Sequence, residues 1–329
     1  MQSLMKNTRA YQLLEAEAKA RSLAHAYALL LDDPRNLRDG LKTFAKVFFN
    51  CHQEVLSEQK QRIARLIDEE NFSDCIFYPE AGKKFVVEDA ERLAEECLLQ
   101  PVEGEKKLFV VSDFALSTPQ AQNKLLKLLE EPPESVCFLL GATTSFSVLP
   151  TVLSRVKQLE VQPFSSEEIL LTLSRIYGNK FAKEEYALCA AASGGYLGNA
   201  QNMLEGGAYK TLSNDAFTLA LTPKHQLPVA VKQTGDTKNK KELLSLLRII
   251  FRDATLLKTA EEKSLPLKNA VFLRTEGLNL ARVAKKYSLR ALIYAQTALS
   301  EAEQEVAFNA YFPQCVELLM AKILRENNE

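Results

Sequence analysis

The stretch from Lys107 to Arg155 constrains the fold more than any other part of this chain. An apolar run, Leu108-Phe-Val-Val-Ser112, leads into Asp113, and a helical segment follows that ends Leu-Leu-Lys-Leu-Leu-Glu-Glu-Pro-Pro133. A second apolar run, Val136 to Leu140, precedes Gly-Ala-Thr143-Thr144, and the stretch closes on Leu149-Pro-Thr-Val-Leu-Ser-Arg155. Both runs are apolar at successive positions. Such strands need cover on both faces, which is the situation of a parallel sheet flanked by helices.

The same alternation extends upstream. Residues 9 to 31 read as a helix running into a short strand, Ala26-Tyr-Ala-Leu-Leu-Leu31, which Asp32-Asp33-Pro34 breaks. A helix resumes near Leu37 and carries Leu41, Phe44, Ala45, Phe48 and Phe49 at helical spacing. Cys75-Ile-Phe-Tyr-Pro79 predicts a brief strand, and Val87 to Leu99 an amphipathic helix whose first turn is acidic, as the positive helix end favours. Thr118-Pro119 starts the helix that Pro132-Pro133 stops, with a capping hydroxyl before proline at the first helical position. Residues 1–163 therefore predict a parallel α/β sheet. Beyond Pro163 the pattern is helical only. Helices starting at Ser166 and spanning Lys183 to Ala192, then a third beyond Gly194-Gly195, end at Gly206-Gly207 and define a small module, 164–207. Residues 208–329 read as further helices with one polar break, Lys232 to Asn239, and no repeat of fixed period.

Composition narrows the function. Lys and Arg number 41 against 42 Asp and Glu, a formal net charge of -1, so any contact with nucleic acid comes from a local patch or from partner subunits. No apolar run approaches the roughly 20 residues of a membrane helix. The first helical segment is studded with charge, unlike a signal peptide, and a cytoplasmic protein is expected. The six cysteines, at 51, 75, 97, 137, 189 and 315, lack the short spacings of zinc ribbons and read as reduced structural thiols. Cys51-His52 is the one suggestive pair, but two further ligands are missing nearby, so zinc is not expected.

The order of elements is that of the middle of a P-loop nucleotide-binding core. A P-loop needs glycines so that backbone N–H groups close around phosphates, a lysine for those phosphates and a hydroxyl for magnesium. The corresponding interval, Asp32 to Thr43, has one glycine and no Gly-Lys-Ser/Thr, and Asp32, Asp33 and Asp39 oppose phosphate. An ATPase of this type also wants a glutamate after the strand-end aspartate to activate water. Here Asp113 is followed by Phe114. Intrinsic hydrolysis is not expected, while residual nucleotide binding stays open. Ser154-Arg155 has two readings: a surface arginine paired with a carboxylate, or an arginine that stabilises the charge of a phosphate held by another subunit. Glu130-Glu131 likewise reads either as a solvated helix end, where acids oppose the macrodipole, or as a subunit contact shared with Pro132 and Pro133.

On these motifs the chain resembles the clamp-loader branch of the AAA+ proteins, on the side of its subunits that lack an ATP site. Ser22-Leu-Ala-His-Ala-Tyr27 is similar to the family's entry strand, and Asn123 to Pro133 to its most recognisable helix. Thr143-Thr144 is similar to the sensor 1 strand end, Leu149 to Val156 to the Ser-Arg-Cys segment, and Ser193 to Ala200 to the sensor 2 helix start. Phe251 to Lys258 and Phe308 to Phe312 resemble collar helices. Departures are the lost P-loop, a zinc cluster reduced to Cys51, Val156 in place of cysteine, and Asn199 in place of the sensor 2 arginine. The resemblance implies an α/β P-loop NTPase-like AAA+ core with a degenerate P-loop (1–163), a helical lid (164–207) and an all-α collar (208–329) for oligomerisation. It further implies motor (tau/gamma) and delta subunits as partners in loading a sliding clamp onto primed DNA. Arg155, supported by Ser154, would act as a finger on ATP held by a neighbouring subunit, with no cofactor or metal held by this chain. The alternatives are a purely structural scaffold subunit and an ATPase in its own right.

Overall fold

The computed structural model describes residues 1–51, 57–146, 148–206, 208–234, 239–263 and 276–327. His52, Gly207 and positions 235–238 of the polar break lie outside the described residues. The chain forms two compact units, Met1–Pro163 and Phe164–Glu329.

The first unit runs α1 (Gln2–Lys6), α2 (Arg9–Lys19), β1 (Ala26–Leu30), α3 (Leu37–Phe48), α4 (Glu58–Asp68), β2 (Cys75–Tyr78), α5 (Val87–Glu96), β3 (Lys107–Val111), α6 (Pro119–Glu130), β4 (Val136–Ala142), α7 (Pro150–Leu153) and β5 (Lys157–Glu160). The five strands are all parallel, in the order β2-β3-β4-β1-β5. This is the parallel α/β core that the sequence predicts.

Alternation along the strands gives the sheet two faces. Ala26, Ala28, Phe109, Val111, Phe138 and Leu140 share one face with Ala90 and Leu93 of α5 and Leu125 and Leu129 of α6. Phe109 and Phe138, register partners on β3 and β4, stack with ring centroids 5.9 Å apart. The opposite face takes α3. Tyr27 meets Phe48 edge-on at 5.7 Å, and Leu41 lies so close to Gly141 that a Cβ there would stand 2.5 Å from its Cδ1. Thr118 caps α6 by accepting the Ala121 N–H at 3.2 Å, ahead of Pro119 at the first helical position.

The structure departs from the sequence reading in several places, among them the short helices α1 and α7. Helix α5 stops at Glu96, short of Leu99, and leaves Leu98 and Leu99 exposed. Helix α4 and strand β5 were not anticipated; of the four β5 side chains only Leu159 is buried, which erases the apolar signature of a strand.

The second unit is entirely helical among its described residues: α8 (Ser166–Tyr177), α9 (Lys183–Ala192), α10 (Leu197–Glu205), α11 (Ala208–Leu221), α12 (Leu227–Thr234), α13 (Lys240–Lys263), α14 (Gly277–Lys286), α15 (Leu289–Ala307) and α16 (Phe312–Glu326). Ser165 caps α8 in a capping box with Glu168. Gly194 and Gly195, at φ of 66° and 89°, make the turn into α10 that a side chain would strain. Helix α13 is the axis of the remainder, burying Leu243, Leu244, Leu246, Leu247, Ile250, Phe251 and Ala254. Lys286 donates to the Ala220 and Thr222 carbonyls, and Lys258 to those of Ala284 and Tyr287. These lysines satisfy helix-end carbonyls that would otherwise be orphaned. Burial pushes the Lys286 ammonium down to about 8.

Candidate functional site

Because every strand runs the same way, the loops leaving their C-terminal ends gather along one edge of the sheet. Strand β1 lies between β4 and β5, so the connections after β1 and β4 lead to opposite faces at the switch point, where open α/β sheets bind ligands. The loop after β1 is closed on itself. Asp33, 3% exposed, accepts the Asn36 backbone N–H at 3.2 Å and its side-chain amide at 2.9 Å. A phosphate cradle needs N–H groups converging on an outside anion; here the carboxylate of the loop itself takes that place.

Lys42 and Thr43 both fall within α3, and neither faces this loop as a phosphate ligand would. Lys42 Nζ lies 2.9 Å from the Asp68 carbonyl and 3.0 Å from Glu70, and the buried Thr43 hydroxyl donates to Asp39 O at 2.9 Å. Arg38 grips Glu70 with two N–H groups, at 2.7 and 2.6 Å, and donates to Pro79 O at 3.0 Å. Lys46 pairs with Asp68 at 2.6 Å. Burial raises the Glu70 carboxyl, but the hydrogen bonds and charges of Arg38 and Lys42 outweigh it and hold the group below its usual range.

At the end of β3, Asp113 takes a left-handed backbone conformation, φ 50°, which turns the chain into a single 3-10 turn over Phe114–Leu116. Burial pushes the Asp113 carboxyl up, against the pull of the Arg38 charge. Phe114, where a water-activating acid would stand, is fully buried and packs against Phe85 with ring centroids 6.2 Å apart.

Ser154 and Arg155 follow α7, a helix pinned to α6 at both ends. At its start the Leu149 N–H donates to Gln122 Oε1 at 2.8 Å, from a glutamine 1% exposed. At its end Arg155 reaches Glu130, the last residue of α6. Nε and Nη2 lie 2.8 and 2.5 Å from one oxygen, Glu130 Oε1, while Nη1 donates to Thr151 O at 2.7 Å and to Ser154 Oγ at 3.1 Å. The Arg155 and Glu130 side chains remain 34% and 46% exposed, so the pair lies at the surface. Three of the predicted residues, Glu130, Ser154 and Arg155, thus come together. Glu131 is the exposed C-cap of α6, and Pro132 and Pro133 are half-buried beyond it. Gln122 was missed: one amide among several polar residues of α6 carries no sign that it is buried.

Thr144 Oγ1 accepts the Phe146 N–H at 3.3 Å beyond β4, closing a local turn. In the second unit, Asn199 donates to the Ser193 carbonyl at 3.2 Å, across the glycine turn. All six cysteines are free and buried, and the Cys51 thiol donates to Phe49 O at 3.3 Å. Among the described residues, no group of three or more His, Cys, Asp and Glu could hold a metal ion. No described helix is long and apolar enough to cross a membrane.

Residues 6–165 match the family described as DNA polymerase III, delta subunit. Over 142 residues the chain is 27% identical to the DNA polymerase III subunit gamma of Buchnera aphidicola subsp. Baizongia pistaciae, covering 42% of this chain and 38% of that one. It is 22% identical over 273 residues to the gamma subunit of B. aphidicola subsp. Schizaphis graminum, covering 75% and 74%. The subunit tau/gamma of Haemophilus influenzae is 31% identical over 163 residues, 48% of this chain and 23% of that one. The chain therefore spans well under half the length of two of these three relatives. A Thermotoga maritima protein of known structure, described as DNA polymerase III, gamma subunit-related, aligns over 95% of this chain and 99% of its own, at 17% identity and a TM-score of 0.41.

Proposed function

We propose that the chain belongs, through its first unit, to the clamp-loader family of DNA polymerase III and is the delta prime, or stator, subunit of a bacterial loader, a reading supported by the family match over residues 6–165 and by the gamma and tau relatives. In this reading it holds no working ATP site. It joins motor (tau/gamma) and delta subunits, with residues 164–207 as lid and 208–329 as collar, and the complex loads the sliding clamp onto primed DNA. The observation that carries the reading is the contrast between two places in one unit. The loop after β1 closes on its own Asp33, with Phe114 in the core, while Arg155 stands at the surface just beyond a short helix anchored at both ends. The first place suits a subunit without a nucleotide, the second a subunit that offers an arginine to a neighbour's phosphate. The relatives named gamma and tau raise the reading of an ATP-binding subunit, which the missing Gly-Lys-Ser/Thr opposes.

Magnesium-ATP titrated into the isolated chain, followed by calorimetry, tests the empty site: no heat of binding is expected, and saturable binding would overturn it. Mixing with gamma/tau-type and delta-type subunits tests the assignment by gel filtration, with a stable ternary assembly expected. The scaffold alternative is favoured by one observation, the pairing of Arg155 with Glu130, and turnover by an Arg155→Ala complex separates the two readings.

A further inference from the structure

We propose that Glu130 is a latch on Arg155, holding the guanidinium in reserve until the phosphate of a nucleotide on a neighbouring subunit displaces it. This rests on the trans role of Arg155 given above. A guanidinium has five N–H donors in a fixed fork. Nε and one Nη2 hydrogen face Glu130, and the two Nη1 hydrogens face Thr151 O and Ser154 Oγ. Among the described residues, one donor is left, on Nη2. Bidentate grip of a phosphate needs two parallel N–H groups from one edge of the fork. In this arrangement no edge can supply them, so Arg155 must leave at least one partner in order to act.

Two features identify Glu130 as the partner released. Its carboxylate is the only anion among the three acceptors and competes directly with phosphate for the same Nε and Nη2 edge. It also ends α6, where an acid faces the negative pole of the helix, so its local backbone does not favour the charge and Arg155 is its compensation. Gln122, holding the Leu149 N–H at the other end of α7, keeps the segment seated while the side chain moves. The pair is substantially exposed, and exposed pairs are weak. The latch therefore biases the arginine without locking it.

The test uses the reconstituted loader carrying wild-type chain, Glu130→Ala, Arg155→Ala or both, with ATP turnover measured at subsaturating ATP in the presence of clamp and primed DNA. Glu130→Ala should raise turnover about two- to five-fold, the factor that a surface ion pair's free energy represents, and the double variant should match Arg155→Ala. Unchanged or lowered turnover in Glu130→Ala, with Arg155→Ala still inactive, would refute the latch and leave the trans arginine standing. A silent Arg155→Ala would remove the trans arginine and the latch with it. Failure of Glu130→Ala to assemble would also count against the latch, because Glu130 would then serve the partner. A second readout needs no turnover: exchange of the Arg155 Nε–H with water, followed by NMR on the isolated chain, should quicken at least two-fold in Glu130→Ala. No change there would overturn the pairing on which the latch depends.

Discussion

Phe114 carries two consequences at the scale of single residues. It cannot polarise water, and its ring, fully buried against Phe85, belongs to the core. Phe114→Ala should cost about 3–5 kcal/mol of stability, as large-to-small changes at buried aromatics do, read from the urea midpoint. Phe114→Glu should also destabilise, by burying a carboxylate, and should confer no ATP hydrolysis, since the loop after β1 remains closed by Asp33. Asp113-Phe114 and the absence of Gly-Lys-Ser/Thr are legible in the sequence because each is a local word. The pairing of Arg155 with Glu130 is not. It spans 25 positions and depends on where Pro132-Pro133 stops α6 and how α7 is seated, which only the packed fold decides. The sequence offers a paired arginine and a trans arginine as alternatives; with a carboxylate this close, the first describes the isolated chain, and the proposed latch would reconcile it with the second.

At the scale of elements, α3 is held to the sheet and to the end of α4 by different forces. Against the sheet the contact is steric: Gly141→Ala would set a Cβ into Leu41 and should cost about 1–3 kcal/mol. Partial recovery on adding Leu41→Ala would identify the clash as the cause. Toward α4 the contact is electrostatic. The Glu70 carboxyl, about 22% exposed, titrates below its usual 4.5 in the folded chain, because Arg38 and Lys42 favour its charge over the cost of burial. Its contribution is therefore complete above about pH 4.5 and lost as pH falls through the lowered folded value. Glu70→Gln should lose about 1–3 kcal/mol at pH 7, and denaturation curves for the two proteins should converge as pH falls through that lowered value. Strands β1, β3 and β4 are legible because they are apolar on both faces. Strand β5, Lys157-Gln-Leu-Glu160, presents three exposed side chains and pairs with β1 through its backbone, so composition does not reveal it. Helix α5 is overread for the opposite reason: Leu98 and Leu99 extend its apolar pattern but are exposed beyond its end.

At the scale of the molecule, each compact unit has its own buried core, one around a parallel sheet and one around α13. A fragment of residues 164–329 should fold alone, giving a helical circular dichroism spectrum and a cooperative urea transition; a non-cooperative loss of signal would show that it depends on the first unit. The division of labour proposed here, a chain that lends an arginine and holds no nucleotide, is a property of the assembled loader. The most direct measurement is clamp- and DNA-stimulated ATP turnover by loader assembled with wild-type or Arg155→Ala chain, with assembly verified by gel filtration. Hydrolysis at the neighbouring site should fall by about 10³–10⁵, the range for loss of a trans arginine, in a complex that still forms. Full turnover in the intact Arg155→Ala complex would contradict the account and leave this chain a scaffold.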